Sequence, residues 1–452
     1  MDLCTLSRIQ FAVTVGFHFL FPPITIGLAW LLVIVEGLAW RTKDPLWEQA
    51  GRFFGRLLGL TFAVGVATGI VMEFQFGTNW ARYSKFVGDI FGAPLAAEGV
   101  FAFFLESTFL GVYLFARPRL SKGWHWFSIL MVAVGATLSA FWIIVANSWM
   151  QTPEGYTVNA AAGRAELTDF WAAVFNPSTV IRYLHTVSAA LVCGAFFMAG
   201  VASYILLRRG RQTALPAADP APMARRALKA SLIFALIAAL LTAYPTGHHH
   251  AKQVAHTQPE KFAAIEGLYT SRTHAPLVMF ALPFSEPPEL KASIEVPGIL
   301  SWMAFGDVDA HVPGIDRFPK DEIPPLWLTF VSFHNMVLLG MLFIGAAALG
   351  LWRLRGGKLY TGRWFLRLLL VISPLPLAAC QFGWVTAEVG RQPWIVYKVL
   401  KTADAFSSNL TPAHVWFSLI LFTEIYLVLL AMYLFLLLRQ IHKSMAPPAP
   451  AA

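Results

Sequence analysis

Apolar residues gather into nine runs along the chain, near 12–40, 55–79, 94–116, 124–148, 182–207, 227–246, 327–352, 364–387 and 413–438. Each is long enough to cross a bilayer, which takes about 20 apolar residues at 1.5 Å apiece. The pattern predicts an all-α polytopic membrane fold with nine transmembrane helices. The first run is too long for the apolar core of a signal peptide, and no small-residue cleavage site follows it, so it reads as a retained span. Between runs six and seven the chain turns rich in charge and proline, which predicts a long loop and no tenth span. The organisation expected is therefore 1–246 (helices one to six), 247–326 (the loop) and 327–452 (helices seven to nine and a tail). No internal repeat of the kind common in transporters is visible.

Positive charge sorts the connections. Arg41 and Lys43, then Arg117, Arg119 and Lys122, occupy the first and third. Arg208, Arg209, Arg211, Arg225 and Arg226 mark the fifth, and Arg353, Arg355, Lys358 and Arg363 the seventh. Arg439 and Lys443 mark the tail, while the N-terminus and the second and eighth connections are poorer in Lys and Arg. Short loops rich in Lys and Arg stay in the cytoplasm. The expected topology has a periplasmic N-terminus, a cytoplasmic C-terminus and an outward-facing loop at 247–326.

Composition agrees: 57% of residues are hydrophobic and 13% charged, against about 25% charged in soluble domains. Disorder and an ordinary cytosolic enzyme are excluded. The net charge of +9, spread over membrane loops, implies no nucleic-acid partner. Cys4, Cys193 and Cys380 form no CxxC, which excludes a disulfide scaffold, a four-cysteine iron–sulfur site and c-type heme attachment.

An ionisable side chain at bilayer depth costs several kcal/mol unless paired, bound or neutral, so each is a candidate for function. Glu36, His125, Arg367 and His414 lie near span ends, where reaching the interface suffices to explain them. His18, Glu98, His185, Met336 and Glu388 differ, because five potential ligands on five spans fall at similar depth in the outer half. Imidazole with thioether is the usual axial pair of a low-spin heme, and a lone histidine or carboxylate leaves iron open to a gas. Glu106 follows Glu98 by eight residues, about 12 Å deeper along an ideal helix, as a proton relay into one cavity requires. The Phe-rich third span (Phe101, Phe103, Phe104, Phe109) could wall a small apolar pocket. The string Gly383-Trp384-Val385-Thr386-Ala387-Glu388-Val389-Gly390-Arg391-Gln392-Pro393-Trp394 is dense in polar and aromatic residues. Its Pro ends a helix, and Arg391 offers a fork suited to a propionate one turn beyond Glu388. Trp384 shares a face with Glu388.

These residues resemble subunit I of the cytochrome bd-type quinol oxidases over nearly the whole chain. The resemblance rests on Arg8-Ile9-Gln10-Phe11-Ala12 with His18, on Met72-Glu73-Phe74-Gln75-Phe76-Gly77-Thr78-Asn79-Trp80, and on Glu98-Gly99-Val100-Phe101-Ala102-Phe103-Phe104-Leu105-Glu106-Ser107. His185, Gln258-Pro259-Glu260-Lys261-Phe262-Ala263-Ala264-Ile265-Glu266 and the string around Glu388 complete it. It implies a low-spin heme b on His185 and Met336. It also implies a high-spin heme b and a heme d, or another b in its place, on His18 and Glu388, in either order. Glu98 would stand beside the oxygen-reducing heme, Glu106 on its proton path, Trp384 between hemes and Arg391 on propionates. Lys261 and Glu266 would serve quinol oxidation, making 247–326 a periplasmic quinol loop of the short class to which cyanide-insensitive oxidases belong.

The implied enzyme of the bacterial cell inner membrane oxidises ubiquinol or menaquinol outside, reduces oxygen to water with cytoplasmic protons, and builds proton motive force without pumping. Its implied partners are a second multispanning subunit and a small single-span one. Two positions depart from the family pattern: Met336 is followed by Val337-Leu338-Leu339-Gly340, and His334 stands where many members carry Arg, a rival ligand to Met336 that reads better as a propionate or solvent contact. The triplet His248-His249-His250 reads as a loop feature, since adjacent residues cannot aim three rings at one ion. Rival readings are a proton-coupled transporter, a non-catalytic membrane b-type cytochrome and a heme–copper oxidase.

Overall fold

A computed structural model describes residues 1–209, 220–285 and 288–445; Arg211 of the basic fifth connection lies outside them. Among the described residues nine helices are long and apolar enough to cross a membrane. They are α1 (Leu3–Thr42), α2 (Pro45–Thr78), α3 (Ala81–Phe115), α4 (Lys122–Gln151), α5 (Phe170–Arg209), α6 (Ala221–Thr257), α7 (Leu326–Trp352), α8 (Arg363–Val389) and α9 (Pro412–Met445). The order matches the nine apolar runs, but several helices run past them. Hydropathy marks where lipid begins, whereas the backbone stays helical until a cap or proline stops it.

Local sequence sets the irregularities. Pro22 and Pro23 have no N–H to give, so α1 closes one segment at His18 and restarts at Pro22. Asp44 caps α2 by accepting from the Leu46 N–H at 2.9 Å. Pro94 interrupts the ladder of α3, and a π turn follows over Glu98–Phe103. A second π turn, Thr242–Gly247, surrounds Pro245 in α6. The helix then continues through His248–Thr257, so the long connection to α7 begins as an extension of a span.

The bundle centres on α5, whose Ala195, Phe196, Met198, Ala199 and Ala202 are fully buried. Against it α1 comes to backbone contact: a Cβ on Gly194 would lie 2.1 Å from the Gly27 carbonyl carbon, and one on Gly27 2.1 Å from the Ala190 oxygen. Close helix crossings in lipid depend on such small residues. Gly194→Ala should cost about 3 kcal/mol by overpacking, read as a lower thermal midpoint and poor recovery of assembled protein; a wild-type midpoint would refute the crossing.

The segment between α6 and α7 is a folded cap rather than a bare loop. A short helix, Pro259–Glu266, and another, Ile299–Phe305, pack Phe262, Ile265, Leu268, Leu300 and Val312 into their own core. Among the described residues three antiparallel hairpins lie in connections: β1 (Tyr156–Asn159) with β2 (Arg164–Leu167), β3 (Leu277–Ser285) with β4 (Pro288–Val296), and β5 (Trp394–Val396) with β6 (Leu400–Lys401).

Glu36 and His125 are not interfacial, as their places near span ends had suggested. Both are 4% exposed. Glu36 accepts from the Tyr113 hydroxyl at 2.9 Å and from Arg117 at 3.0 Å, and His125 stands 3.7 Å from it. A buried carboxylate needs such partners, and this cluster ties α1, α3 and α4 together at one end.

Candidate functional site

The two histidines are built alike. His18 ends the first segment of α1 with Nδ1 3.0 Å from the Thr68 hydroxyl of α2. Thr68 commits its own proton to the carbonyls of Val64 and Gly65 at 3.0 and 2.9 Å, so it accepts from His18, which places the ring proton on Nδ1. Nε2 then keeps its lone pair. His185 on α5 repeats this with Thr246 in the π turn of α6: Nδ1 to hydroxyl is 3.3 Å, and Thr246 donates to the Leu241 carbonyl at 2.8 Å. A hydrogen bond on one ring nitrogen fixes the tautomer that offers the other to a metal.

Each candidate ligand of this kind also faces a glycine. A Cβ on Gly69 would lie 3.1 Å from His18, one on Gly247 3.4 Å from His185, and one on Gly383 2.9 Å from the Met336 sulfur. Met336 on α7 therefore meets α8 where the backbone is bare. Gln381, two residues before Gly383, donates to the Gly16 carbonyl at 2.7 Å and holds α8 to α1 near His18.

Glu388 closes α8 among polar partners. Its carboxylate accepts from Asn147 at 2.9 Å and from Arg391 at 2.5 Å. Asn147 in turn receives Arg182 at 2.5 Å. Lys261, from the cap, reaches the same place: its ammonium donates to Gln151 at 3.0 Å, Gln258 at 3.2 Å and the Ala387 carbonyl, beside Glu388, at 3.1 Å. Gly390 permits this, since a Cβ there would stand 3.0 Å from the lysine chain. Burial, then Arg182 and Arg391, holds the Lys261 ammonium well below its ordinary range. Glu266, at the other end of the short helix, is buried with Oε2 unbonded, and burial pushes its carboxyl up to about 8. Trp384 is half-buried one turn before Glu388.

On α3, Glu98 accepts from the Ser139 hydroxyl of α4 at 2.6 Å. Glu106 is buried against Gly135, where a Cβ would lie 2.9 Å from the Glu106 nitrogen. Both carboxyl-bearing residues thus face α4 about two turns apart, with the π turn Glu98–Phe103 between them altering the ideal helical spacing.

Three details differ from expectation. Phe101 and Phe104 are 66% and 61% exposed, so they face away from the bundle and wall no pocket within this chain. His334 bonds the Phe330 and Val278 carbonyls at 3.0 and 3.1 Å and stacks on Phe330; it anchors the β3 hairpin to α7 and does not compete with Met336. The histidine triplet is helical, and only one ring, His250, lies on His185, at 5.4 Å between centroids.

Residues 6–445 match the family model of cytochrome bd terminal oxidase subunit I. The chain belongs to this family. It is 40% identical over 454 residues to the cytochrome bd ubiquinol oxidase subunit 1 of Bacillus subtilis (strain 168), covering 98% of this chain and 94% of that one. It is 35% identical over 515 residues to the cytochrome bd-II ubiquinol oxidase subunit 1 of Escherichia coli (strain K12), covering 99% and 98%. Its fold matches the bd oxidase structure from Geobacillus thermodenitrificans with a TM-score of 0.90, 32% identity, and 98% and 99% of the two chains covered. This bd oxidase subunit is a multi-pass protein of the bacterial inner membrane, a respiratory enzyme that carries heme and works with a subunit II. Membership sets aside the transporter, the electron-only cytochrome and the heme–copper oxidase.

The residues fit heme. Arg391 is 3% exposed, yet its Nη1 has no hydrogen-bond partner among the described residues, a costly omission for a buried guanidinium. Arg182, Lys261 and Arg391 crowd one bonded carboxylate, Glu388, a setting that favours further anionic groups such as propionates. Sequence reasoning missed Arg182, Asn147 and the hydroxyls of Thr68 and Thr246. Arg182, three residues before His185 at a span's start, is the one a closer reading could have found.

Proposed function

We propose that this bd oxidase subunit oxidises quinol at its outer cap and serves oxygen reduction in the outer half of the bundle. The observation that carries this is the bond from Lys261 to the Ala387 carbonyl, which joins the cap directly to the helix end bearing Glu388 and Arg391. His185 Nε2 and the Met336 thioether would hold a low-spin heme b; His18 and Glu388 would hold the high-spin heme b and the heme d (or another b), with Arg391 on propionates and Trp384 between hemes. The hemes supply electron transfer and oxygen reduction. Lys261 presents its amine to the quinol, ubiquinol or menaquinol, and Glu266 receives a quinol proton. Glu106, and then Glu98 through the Ser139 contact, carry protons from the opposite side toward the oxygen-reducing centre.

The basic short loops support a cytoplasmic C-terminus with the N-terminus and cap in the periplasm. Quinol protons then leave outward while oxygen takes protons from inside, so charge crosses the bilayer without a pump. Opposing that movement costs about 2.3 kcal/mol per charge for each 100 mV. The second multispanning subunit and a small single-span subunit complete the assembly in lipid. Turnover of the reconstituted complex should acidify the cap side of the vesicle; turnover without acidification would refute the vectorial reading.

Glu266 yields a pH prediction. Its carboxyl, raised to about 8 by burial, is protonated below that pH and accepts a proton only once ionised. The kcat/KM for quinol should therefore rise with pH through about 8 and level above it. Glu266→Gln should abolish that limb and lower the plateau about 100-fold, the low end of general-base effects. An unchanged limb would remove Glu266 from the role.

A further inference from the structure

The end of the molecule opposite the cap holds a pocket that the oxidase reading does not use. It lies between the first half of α2, the start of α6 and the end of α9, and encloses about 360 Å³. Arg52, Arg56 and Lys443 line it together with the polar side chains of Gln49, Gln440 and Ser444, and among the described residues no Asp or Glu is in its wall.

The cations differ in their ties. Arg52 is shared with Glu48 at 2.8 Å, from the flank. Arg56 and Lys443 have no ion-pair partner among the described residues. Arg56 stands eleven residues beyond Pro45, about 16 Å along the helix, with Leu57 and Leu58 beside it fully buried in the bundle core. Arg56 is exposed at the edge of the apolar run that begins near residue 55, where a guanidinium gains from an anion in the adjoining polar layer. Cationic pockets between helices at the cytoplasmic interface suit phosphate headgroups, and this volume falls within the range of small-ligand sites.

We propose that this pocket binds a phosphate group, with Arg56 and Lys443 as its charge partners and Gln49 and Gln440 as hydrogen-bond donors. Two sources share that chemistry, the headgroup of an anionic phospholipid and free phosphate. The pocket lies among the ends of three membrane-crossing helices, where a lipid headgroup would have direct access.

The test uses the intact oxidase complex, delipidated in mild detergent. The wild type is compared with the double variant Arg56→Gln/Lys443→Gln, neither residue belonging to the quinol or heme sites. Each is titrated with phosphatidylglycerol, phosphatidylcholine or inorganic phosphate, with thermal midpoint and bound phosphorus per complex as readouts. Phosphatidylglycerol should raise the wild-type midpoint at concentrations at least tenfold below those the variant needs, and the wild type should retain one more phosphorus per complex. Protection by inorganic phosphate to the same extent upholds the site and names free phosphate as the source. Equal protection by phosphatidylcholine, or equal titrations of wild type and variant, overturns the proposal. A variant that fails to assemble is replaced by the single change Arg56→Lys, which keeps the charge but loses the fork; it should shift the phosphate titration at least threefold, and no shift overturns the proposal.

Discussion

Replacing His185 by alanine is expected to remove the low-spin heme signal and to lower quinol oxidase activity at least 100-fold, the scale on which metal sites respond to losing even their supporting groups. The side chain contributes little to folding: its bond to Thr246 is 3.3 Å long, and such a bond is worth about 1 kcal/mol. The protein should therefore assemble, with one heme fewer per complex by extraction. Met336→Leu provides the paired experiment. Leucine nearly conserves volume and can pack against Gly383 as the thioether does, so a spectral loss there reports ligation and not collapse. His250, at 5.4 Å from His185, is the residue to watch. If His185→Ala retains a normal low-spin band, that neighbour or another group holds the iron, and the assignment of His185 fails.

Glu106→Gln is expected to lower turnover between about 100- and 10,000-fold, the range for a lost proton-transfer group, while leaving heme content and the reduced spectrum intact. Glutamine has nearly the same shape, so the contact with Gly135 survives. What it cannot do is pick up and release a proton. Quinol should still reduce the centres, and electrons should accumulate because protons do not arrive. Stopped-flow absorbance for the reduction and an oxygen electrode for turnover separate the two steps. Ser139→Ala should act more weakly, since Glu98 loses one hydrogen bond of 2.6 Å but keeps its carboxyl. Wild-type turnover in Glu106→Gln would place the proton path elsewhere.

Much of this was legible because lipid penalises polarity so heavily. Nine apolar runs translate into nine helices, and His18, Glu98, Glu106, His185 and Glu388 draw notice because nothing but function or pairing would keep them at that depth. Met336 carried no such signal alone; its depth relative to the others supplied it. The hydroxyls that orient the histidines were hidden, because threonines in membrane helices commonly bond their own backbone, as Thr68 and Thr246 also do. The glycines facing His18, His185 and Met336 look like ordinary small residues until the helices are brought together. The π turns at Glu98 and Thr246 change which face a residue presents, and the hydrophobic period gives no warning of them. The meeting of Lys261 with Ala387, 126 residues apart, is a tertiary event that no local pattern encodes. Glu36 misled for a related reason: its place near a span end suggested the interface, whereas Tyr113 and Arg117 had drawn it into a buried cluster.

The central claim is that one iron sits between His185 and Met336, on α5 and α7. Near-infrared magnetic circular dichroism of the purified, oxidised complex tests it most directly, because thioether and imidazole ligation give low-spin heme distinct charge-transfer bands. A histidine–methionine band in the wild type that disappears in Met336→Leu is the result expected. A bis-histidine band, or a histidine–methionine band that persists in Met336→Leu, would contradict it.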